Sequence, residues 1–264
     1  MTYQSPATIE NLLGGYEPEA IALFDRITVR PNADRRAAIN TLIKSLKRDG
    51  IWLKLDSLYL FAAHTSQAGL LNWCRNTANF STINSPIFTA DVGFAGDGVG
   101  ASLTNTNSAT VNTQPTNMMT AAWVSKVPVV GETWNIWWTG WNWALSPASS
   151  ATNIGWKIAR TNTSSVASSR TGLFSFARTG ASAAAAYRDG ALLQNETGAY
   201  DSGGTYTSTF PLRVFSVNGT SGFSTSTMSS IAYGAALNAT EMAQFYNSLN
   251  DYMTAVDLAG NLGI

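Results

Sequence analysis

Ala186-Tyr187-Arg188-Asp189-Gly190-Ala191-Leu192-Leu193, together with the later stretch Gly234-Ala235-Ala236-Leu237-Asn238-Ala239-Thr240-Glu241, decides the architecture of this chain. In the first stretch, Asp-Gly supplies the two consecutive positions with φ > 0 that a tight hairpin turn needs, between apolar runs that make strands. In the second, Asn238 can cap the free N–H groups of a helix's first turn, and Glu241 can reach back to the cap. Met242, Phe245, Tyr246, Leu249 and Tyr252 then recur at helical spacing, so one stripe of a helix over 239–254 can bury against a sheet. A hairpin followed by one capped, amphipathic helix predicts an antiparallel β-sandwich closed by that helix.

Working outward, the chain from about Phe80 interleaves Ser, Thr, Asn, Gly and Ala with aromatic and branched residues, a texture of short strands joined by turns. The expected strands are Ile87 to Val92, Met119 to Ser125, Thr133 to Thr139, Asn153 to Ile158, Gly172 to Phe176, Ala183 to Tyr187, Leu212 to Val217 and Ser229 to Tyr233. Gly96-Asp97-Gly98, Pro128, Thr179-Gly180, Asp189-Gly190, Ser202-Gly203-Gly204 and Asn218-Gly219 punctuate them. The long helical crossovers of a parallel sheet are missing.

The front of the chain differs. Of the 32 charged residues, 15 lie within positions 1 to 56. Pro18 suits the first turn of a helix carrying Ala20, Ile21, Leu23 and Phe24. Asn32 or Asp34 can cap a second helix whose apolar stripe is Ile39, Leu42, Ile43 and Leu46, and Gly50 stands at its expected left-handed end. Ile51 to Ala63 is too apolar for a linker, and Tyr59-Leu60-Phe61 is strand-like. The expected division is a helical leader over 1–56 and a sandwich over 57–264.

Composition excludes several classes. A formal net charge of zero gives no electrostatic footprint for nucleic acid or an anionic membrane. The single cysteine, Cys74, rules out an intramolecular disulfide and a thiolate metal cluster. No apolar run approaches the roughly 20 residues that cross a bilayer, and the N-terminus lacks an export pattern. Membrane insertion and secretion are not expected.

Five of the nine tryptophans lie in Trp134-Asn135-Ile136-Trp137-Trp138-Thr139-Gly140-Trp141-Asn142-Trp143. Strand alternation puts Trp134, Ile136 and Trp138 on one face and Trp137 on the other, while Gly140 can re-aim Trp141 and Trp143. The first use of such rings is a sandwich core or a subunit interface. The competing use is a sugar platform, in which flat indoles meet the apolar faces of sugar rings beside amide donors. The candidate carbohydrate-binding residues are therefore Trp137, Trp141, Trp143, Asn135 and Asn142. His64 and Cys74 lack any local context for nucleophilic catalysis. Asp91, Asp97, Glu132, Asp189, Glu196 and Asp201 are too scattered for the paired carboxylates of a glycoside hydrolase. Asp97 is explained by its Gly-Asp-Gly loop, Asp189 by its turn, and the pair Asp91 and Asp97 is too sparse for a calcium site. No catalytic residue, metal or cofactor is expected.

The segments Ala186 to Gly190, Leu212-Arg213-Val214-Phe215 and Ile231 to Glu241 resemble the closing half of a concanavalin A-like or laminin G-like jelly roll. Asn32 to Gly50, with Ile51-Trp52-Leu53-Lys54-Leu55-Asp56 and Tyr59 to His64, resembles proteins of tailed phages and prophages that join a short helical leader to such a sandwich. The chain departs from catalytic members in lacking their acidic strand, and from calcium lectins in lacking an acidic metal loop. The resemblance implies a non-enzymatic virion protein of a head or tail fibre, spike or decoration, made in the host cytoplasm. Its leader would dock to other virion proteins and its lectin-like domain would bind host cell-surface polysaccharide, as a homo-oligomer that gains avidity. The alternatives are a purely structural capsid or tail protein, with the tryptophan tract as an interface, and a polysaccharide-degrading enzyme.

Overall fold

A computed structural model describes residues 15–105, 111–129, 136–138, 143–147, 149–159, 163–199, 211–217 and 219–256, with the backbone alone at 137 and 138. The chain opens with α1 (Pro18–Phe24) and α2 (Ala33–Arg48), then a short 3-10 turn (Trp52–Lys54), β1 (Leu55–Leu60) and the single turn α3 (Ser66–Gly69). Strands follow: β2 (Ser81–Ile83), β3 (Ile87–Thr89), β4 (Gly93–Ala95), β5 (Ser102–Asn105), β6 (Met118–Lys126), β7 (Ile136–Trp138), β8 (Trp143–Ser146), β9 (Asn153–Lys157) and β10 (Ser164–Ala167). Then come β11 (Gly172–Gly180), β12 (Ala183–Arg188), β13 (Ala191–Glu196), β14 (Leu212–Val214), β15 (Thr227–Gly234) and the closing helix α4 (Ala239–Val256). Sheet I has the order β13-β12-β11-β6-β15-β4-β3, with β1 also pairing β15, and sheet II has the order β10-β9-β8-β7-β14-β5-β2. Every pairing is antiparallel. The fold is a mainly β sandwich of jelly-roll type, as the turns and the missing crossovers predict.

Alternation along the strands builds three layers. On β6, Met119, Ala121 and Trp123 face the helices, while Met118, Ala122 and Val124 face sheet II. The inter-sheet core is completed by Phe174, Phe176, Tyr233, Leu103, Ile136, Leu145, Ile154, Leu212 and Val214, and by Trp156 stacked on Phe176 at 5.1 Å. On the other side of sheet I, the stripe of α2 (Ile39, Leu42, Ile43, Leu46) and that of α4 (Met242, Phe245, Leu249, Tyr252, Met253, Val256) share one apolar layer with Leu58, Leu60 and Trp123. The apolar face of α2 is thus buried within this chain, and its charged face is the one left toward solvent.

The local signals act as their chemistry requires. Asp189 (φ 51°) and Gly190 (φ 76°) form the two-residue turn, with Arg188 opposite Ala191. A Cβ at Gly190 would lie 2.9 Å from the Ala243 Cα, so the turn seats directly beneath the terminal helix. Asn32 caps α2, accepting from the Arg35 N–H at 2.9 Å. The helix ends with Gly50 at φ 70°, its N–H on the Lys47 carbonyl at 3.1 Å and the Ile51 N–H on the Leu46 carbonyl at 2.9 Å. At α4 the Glu241 N–H donates to Asn238 Oδ1 at 3.0 Å and the Asn238 N–H donates to Glu241 Oε2 at 2.9 Å. Replacing Asn238 by alanine removes that reciprocal cap and is expected to lower stability by about 1 kcal/mol, which a denaturant titration of the purified chain would measure.

Several phenols titrate late because burial disfavours their ionised form, Tyr233 and Tyr252 among them. Tyr233 and Tyr252 are both pushed from the ordinary 10 up to about 12, and the Tyr252 hydroxyl donates to the Ala62 carbonyl at 3.2 Å. The unfolded chain releases these protons near pH 10 while the folded chain holds them, so unfolding is favoured as pH rises. Their contribution to stability is fully present below pH 10 and is lost by about pH 12. Urea midpoints across that interval, read with tyrosinate absorbance, are expected to fall as the tyrosinate signal of the folded chain lags that of the unfolded one.

Candidate ligand-binding face

The tryptophan tract divides between core and sheet register. Trp143 is fully buried in the inter-sheet core with Ile136 and Leu145, so its ring has no face open to a sugar. This corrects the expectation that Trp143 lies among the sugar-contacting residues: the β7–β8 register sets it opposite position 138, on the inward face that Ile136 also occupies. Asn135, Trp141 and Asn142 lie outside the described residues. Trp137 is described as a strand position, paired with Arg213 on one side and Ala144 on the other.

That pairing belongs to a row across sheet II. Ser81 opposes Thr104, Thr104 opposes Arg213, Arg213 opposes position 137, position 137 opposes Ala144, and Ala144 opposes Lys157. The neighbours Leu103, Leu212, Val214, Leu145 and Trp156 all point into the inter-sheet core, so alternation turns Thr104, Arg213, Ala144 and Lys157 to the opposite face. The sequence reading places Arg213 and Lys157 inside expected strands yet does not single them out. Each is a cation between two apolar residues, and that alternation is the signal that marks an outward position.

The row is polar and largely buried. Ser102, Ala144 and Lys157 are buried and Arg213 is half-buried. Burial holds both the Lys157 amine and the Arg213 guanidinium below their ordinary pKa. Gly219, at φ 85°, closes on Arg213, and a Cβ there would lie 2.4 Å from Nη1. Ser102 Oγ and Thr104 Oγ1 are buried with no hydrogen-bond partner among the described residues.

Of the acids weighed above for hydrolysis, the four that are described are engaged elsewhere. Asp91 pairs with Arg35. Asp97 Oδ1 accepts from the N–H groups of Val99, Gly100 and Ala101 at 2.8 to 2.9 Å, bonds that hold its carboxyl below the usual range. Asp189 Oδ1 accepts from the Leu173 N–H at 2.8 Å while Oδ2 faces Arg188. Glu196 Oε1 accepts from Ser164 Oγ at 2.6 Å and Gln194 Nε2 at 3.1 Å. Glu132 and Asp201 lie outside the described residues. No group of three or more potential metal ligands occurs among the described residues.

Cys74 and His64 do different jobs. Burial pushes the Cys74 thiol well up, away from the thiolate that a nucleophile needs, and His64 Nε2 sits 2.6 Å from the Val29 carbonyl. Two clefts of about 350 Å³ lie off sheet II. One, between the β12–β13 hairpin and the start of α4, is lined by small residues together with Tyr187, Asn195, Glu196 and Asn238, and the other, at Trp73, Cys74 and Arg75, includes Arg26. In the second, the Arg26 guanidinium is committed to the Arg75 and Asn72 carbonyls at 2.7 and 2.8 Å.

No described protein family and no curated protein matches the chain. Among solved structures it is similar to the receptor binding domain of botulinum neurotoxin type G, at 15% identity and a TM-score of 0.50 over 74% of this chain and 51% of that one. It is also similar to the sialidase of Trypanosoma rangeli, at 11% identity and a TM-score of 0.54 over 81% of this chain and 39% of that one. The chain thus spans about half the length of the first and less of the second. At such identities the likeness is one of architecture, and what the chain shares with these proteins is the antiparallel β-sandwich.

Proposed function

We propose that this chain is a non-enzymatic, glycan-binding domain of a phage virion protein, attached to a head or tail fibre, spike or decoration and directed at host cell-surface polysaccharide. The observation that carries the binding reading is the outer face of sheet II. There, Thr104, Arg213 and Lys157 fall into one register row through the Trp137 position, on a sheet whose other face is packed core. Polar groups on a rigid sheet suit the orientation of a ligand rich in hydroxyls. A receptor binding domain on the same architecture supports the reading by analogy of fold. The engagement of Asp91, Asp97, Asp189 and Glu196 in structural contacts supports binding over hydrolysis. The virion assignment rests on the resemblance of the helical leader and sandwich to phage and prophage proteins, and several copies per particle would raise a modest affinity.

An array of bacterial capsule, lipopolysaccharide and exopolysaccharide fragments probed with the purified chain tests this. Saturable binding to at least one surface polysaccharide, with no new reducing ends on prolonged incubation, is the expected result. Absence of binding to every polysaccharide would overturn it, and release of reducing ends would replace it with a hydrolytic reading.

A further inference from the structure

We propose that the glycan recognised by this face is acidic, and that Arg213, flanked by Thr104 and Ser102, receives a sugar carboxylate. The inference rests on the glycan-binding reading and adds the chemical class of the ligand.

Three observations lead there. Arg213 projects from the short strand β14 to the outer face, because Leu212 and Val214 on either side are fully buried in the core. Among the described residues its guanidinium makes no hydrogen bond or ion pair, although every described acid discussed above has a partner. Gly219, in a left-handed conformation that glycine favours, lies beside it, where a Cβ would meet the tip of the Arg213 side chain. A half-buried guanidinium without a counter-charge is a group suited to an anion. The lowering of its pKa by burial has the same origin, because the surroundings lack the negative charge that would compensate it.

The second observation is Thr104, directly opposite Arg213 in the β5–β14 register. Its Oγ1 is buried without a partner, and so is Ser102 Oγ two residues along the same strand, on the same face. Buried hydroxyls are nearly always satisfied in folded proteins, and these two unsatisfied ones lie on the sheet face that carries the unpaired guanidinium. A carboxylate meets the need: two oxygens accept from the guanidinium fork, and their remaining lone pairs accept from hydroxyl donors. A neutral sugar hydroxyl would satisfy Thr104 or Ser102 but leave the charge of Arg213 uncompensated.

The third is Lys157, in the same row and on the same face, three strand spacings away from Arg213, or about 14 Å at ~4.8 Å per strand. It gives the row a second cation at its far end. Lys157 is buried and has a partner within the protein, so the acidic group itself is received at Arg213.

The test uses the full chain and three acidic polymers, polygalacturonate, hyaluronan and polysialic acid, each beside a carboxyl-reduced form that keeps the sugar chain and removes the charge. Titration calorimetry is expected to show binding to at least one acid polymer, weakened about tenfold or more by carboxyl reduction. Arg213→Gln should weaken acid binding to a similar extent, and Arg213→Lys should recover only part of it, since an ammonium lacks the two-pronged fork. Lys44→Gln, on the exposed face of α2 in the opposite layer, removes the same unit of charge and should leave binding unchanged. Because loss of Arg213 can disturb the Gly219 loop, Thr104→Val provides an independent readout. It replaces an unpartnered buried hydroxyl by a methyl group, so the melting temperature should hold or rise while affinity for the acid polymer falls.

Equal binding of native and carboxyl-reduced polymers, or full acid binding by both Arg213→Gln and Thr104→Val, would overturn the acidic-ligand inference while leaving glycan binding intact. Binding to neutral polysaccharides alone would do the same. Failure to bind any polysaccharide, acidic or neutral, removes the glycan reading itself.

Discussion

Replacing Asp56 by alanine is expected to destabilise the protein by about 3–5 kcal/mol, lowering the melting temperature by on the order of 10 °C for a chain of this size. Asp56 is fully buried and sits where the register of β1 shifts against β15, a bulge that re-aims its side chain out of the ladder. Its carboxylate gathers a distant loop. Oδ1 accepts from the Val111 N–H at 3.0 Å, Oδ2 accepts from the Thr113 N–H at 2.8 Å and Thr113 Oγ1 at 2.7 Å, and the Asn112 N–H contributes at 2.9 Å. Arg75 Nη2 completes the set at 3.2 Å. Removing the acceptor strands several donors at once, which costs more than any one bond contributes. Asp56→Asn keeps the shape but turns an acceptor into a donor facing N–H groups, so it should recover little of the loss. Scanning calorimetry of the two variants checks this, and a loss near zero for the alanine variant would mean that other acceptors serve the 111–113 loop.

Trp143→Ala is expected to cost a comparable amount, about 3–5 kcal/mol, while leaving affinity for the proposed glycan, per folded molecule, unchanged. The ring is enclosed between the sheets, so its loss opens a cavity in the layer formed with Ile136, Leu145 and Trp156. Chemical denaturation measures the first part and titration of the folded fraction the second. Weakened binding by a fully folded Trp143 variant would contradict its place in the core and return it to the ligand face. The comparison with Arg213→Gln separates the two roles, since one substitution should move stability and the other affinity.

Local rules carry most of what could be read in advance. The Asp189-Gly190 turn, the Asn238 and Glu241 cap, the Asn32 cap and the Gly50 terminus each depend on a few neighbouring residues, and each forms as its chemistry dictates. Longer strands, such as β6, β11 and β15, were also legible. Short strands with small polar residues were not. Ser81–Ile83, Ser102–Asn105 and Ser164–Ala167 become strands through pairing partners far along the chain, with little intrinsic preference of their own.

The candidate site shows the same division more sharply. Tryptophan density drew attention to Trp143, yet a run of aromatic residues does not say which ring the sheet turns inward, and the β7–β8 register decides that. Arg213 and Lys157 were visible as cations set between apolar neighbours. That they share a face with Thr104, or that Gly219 closes on Arg213, follows from pairings among four strands and from a loop contact. By itself, the sequence determined the antiparallel character, the turns and caps, and the amphipathic helix that covers the sheet, because backbone conformation and side-chain periodicity act over a few residues. Register, the inward or outward fate of each ring, and the placing of a guanidinium and two hydroxyls on one sheet face were decided by tertiary structure alone, since a shift of one residue in a single pairing would turn each of those side chains to the other face.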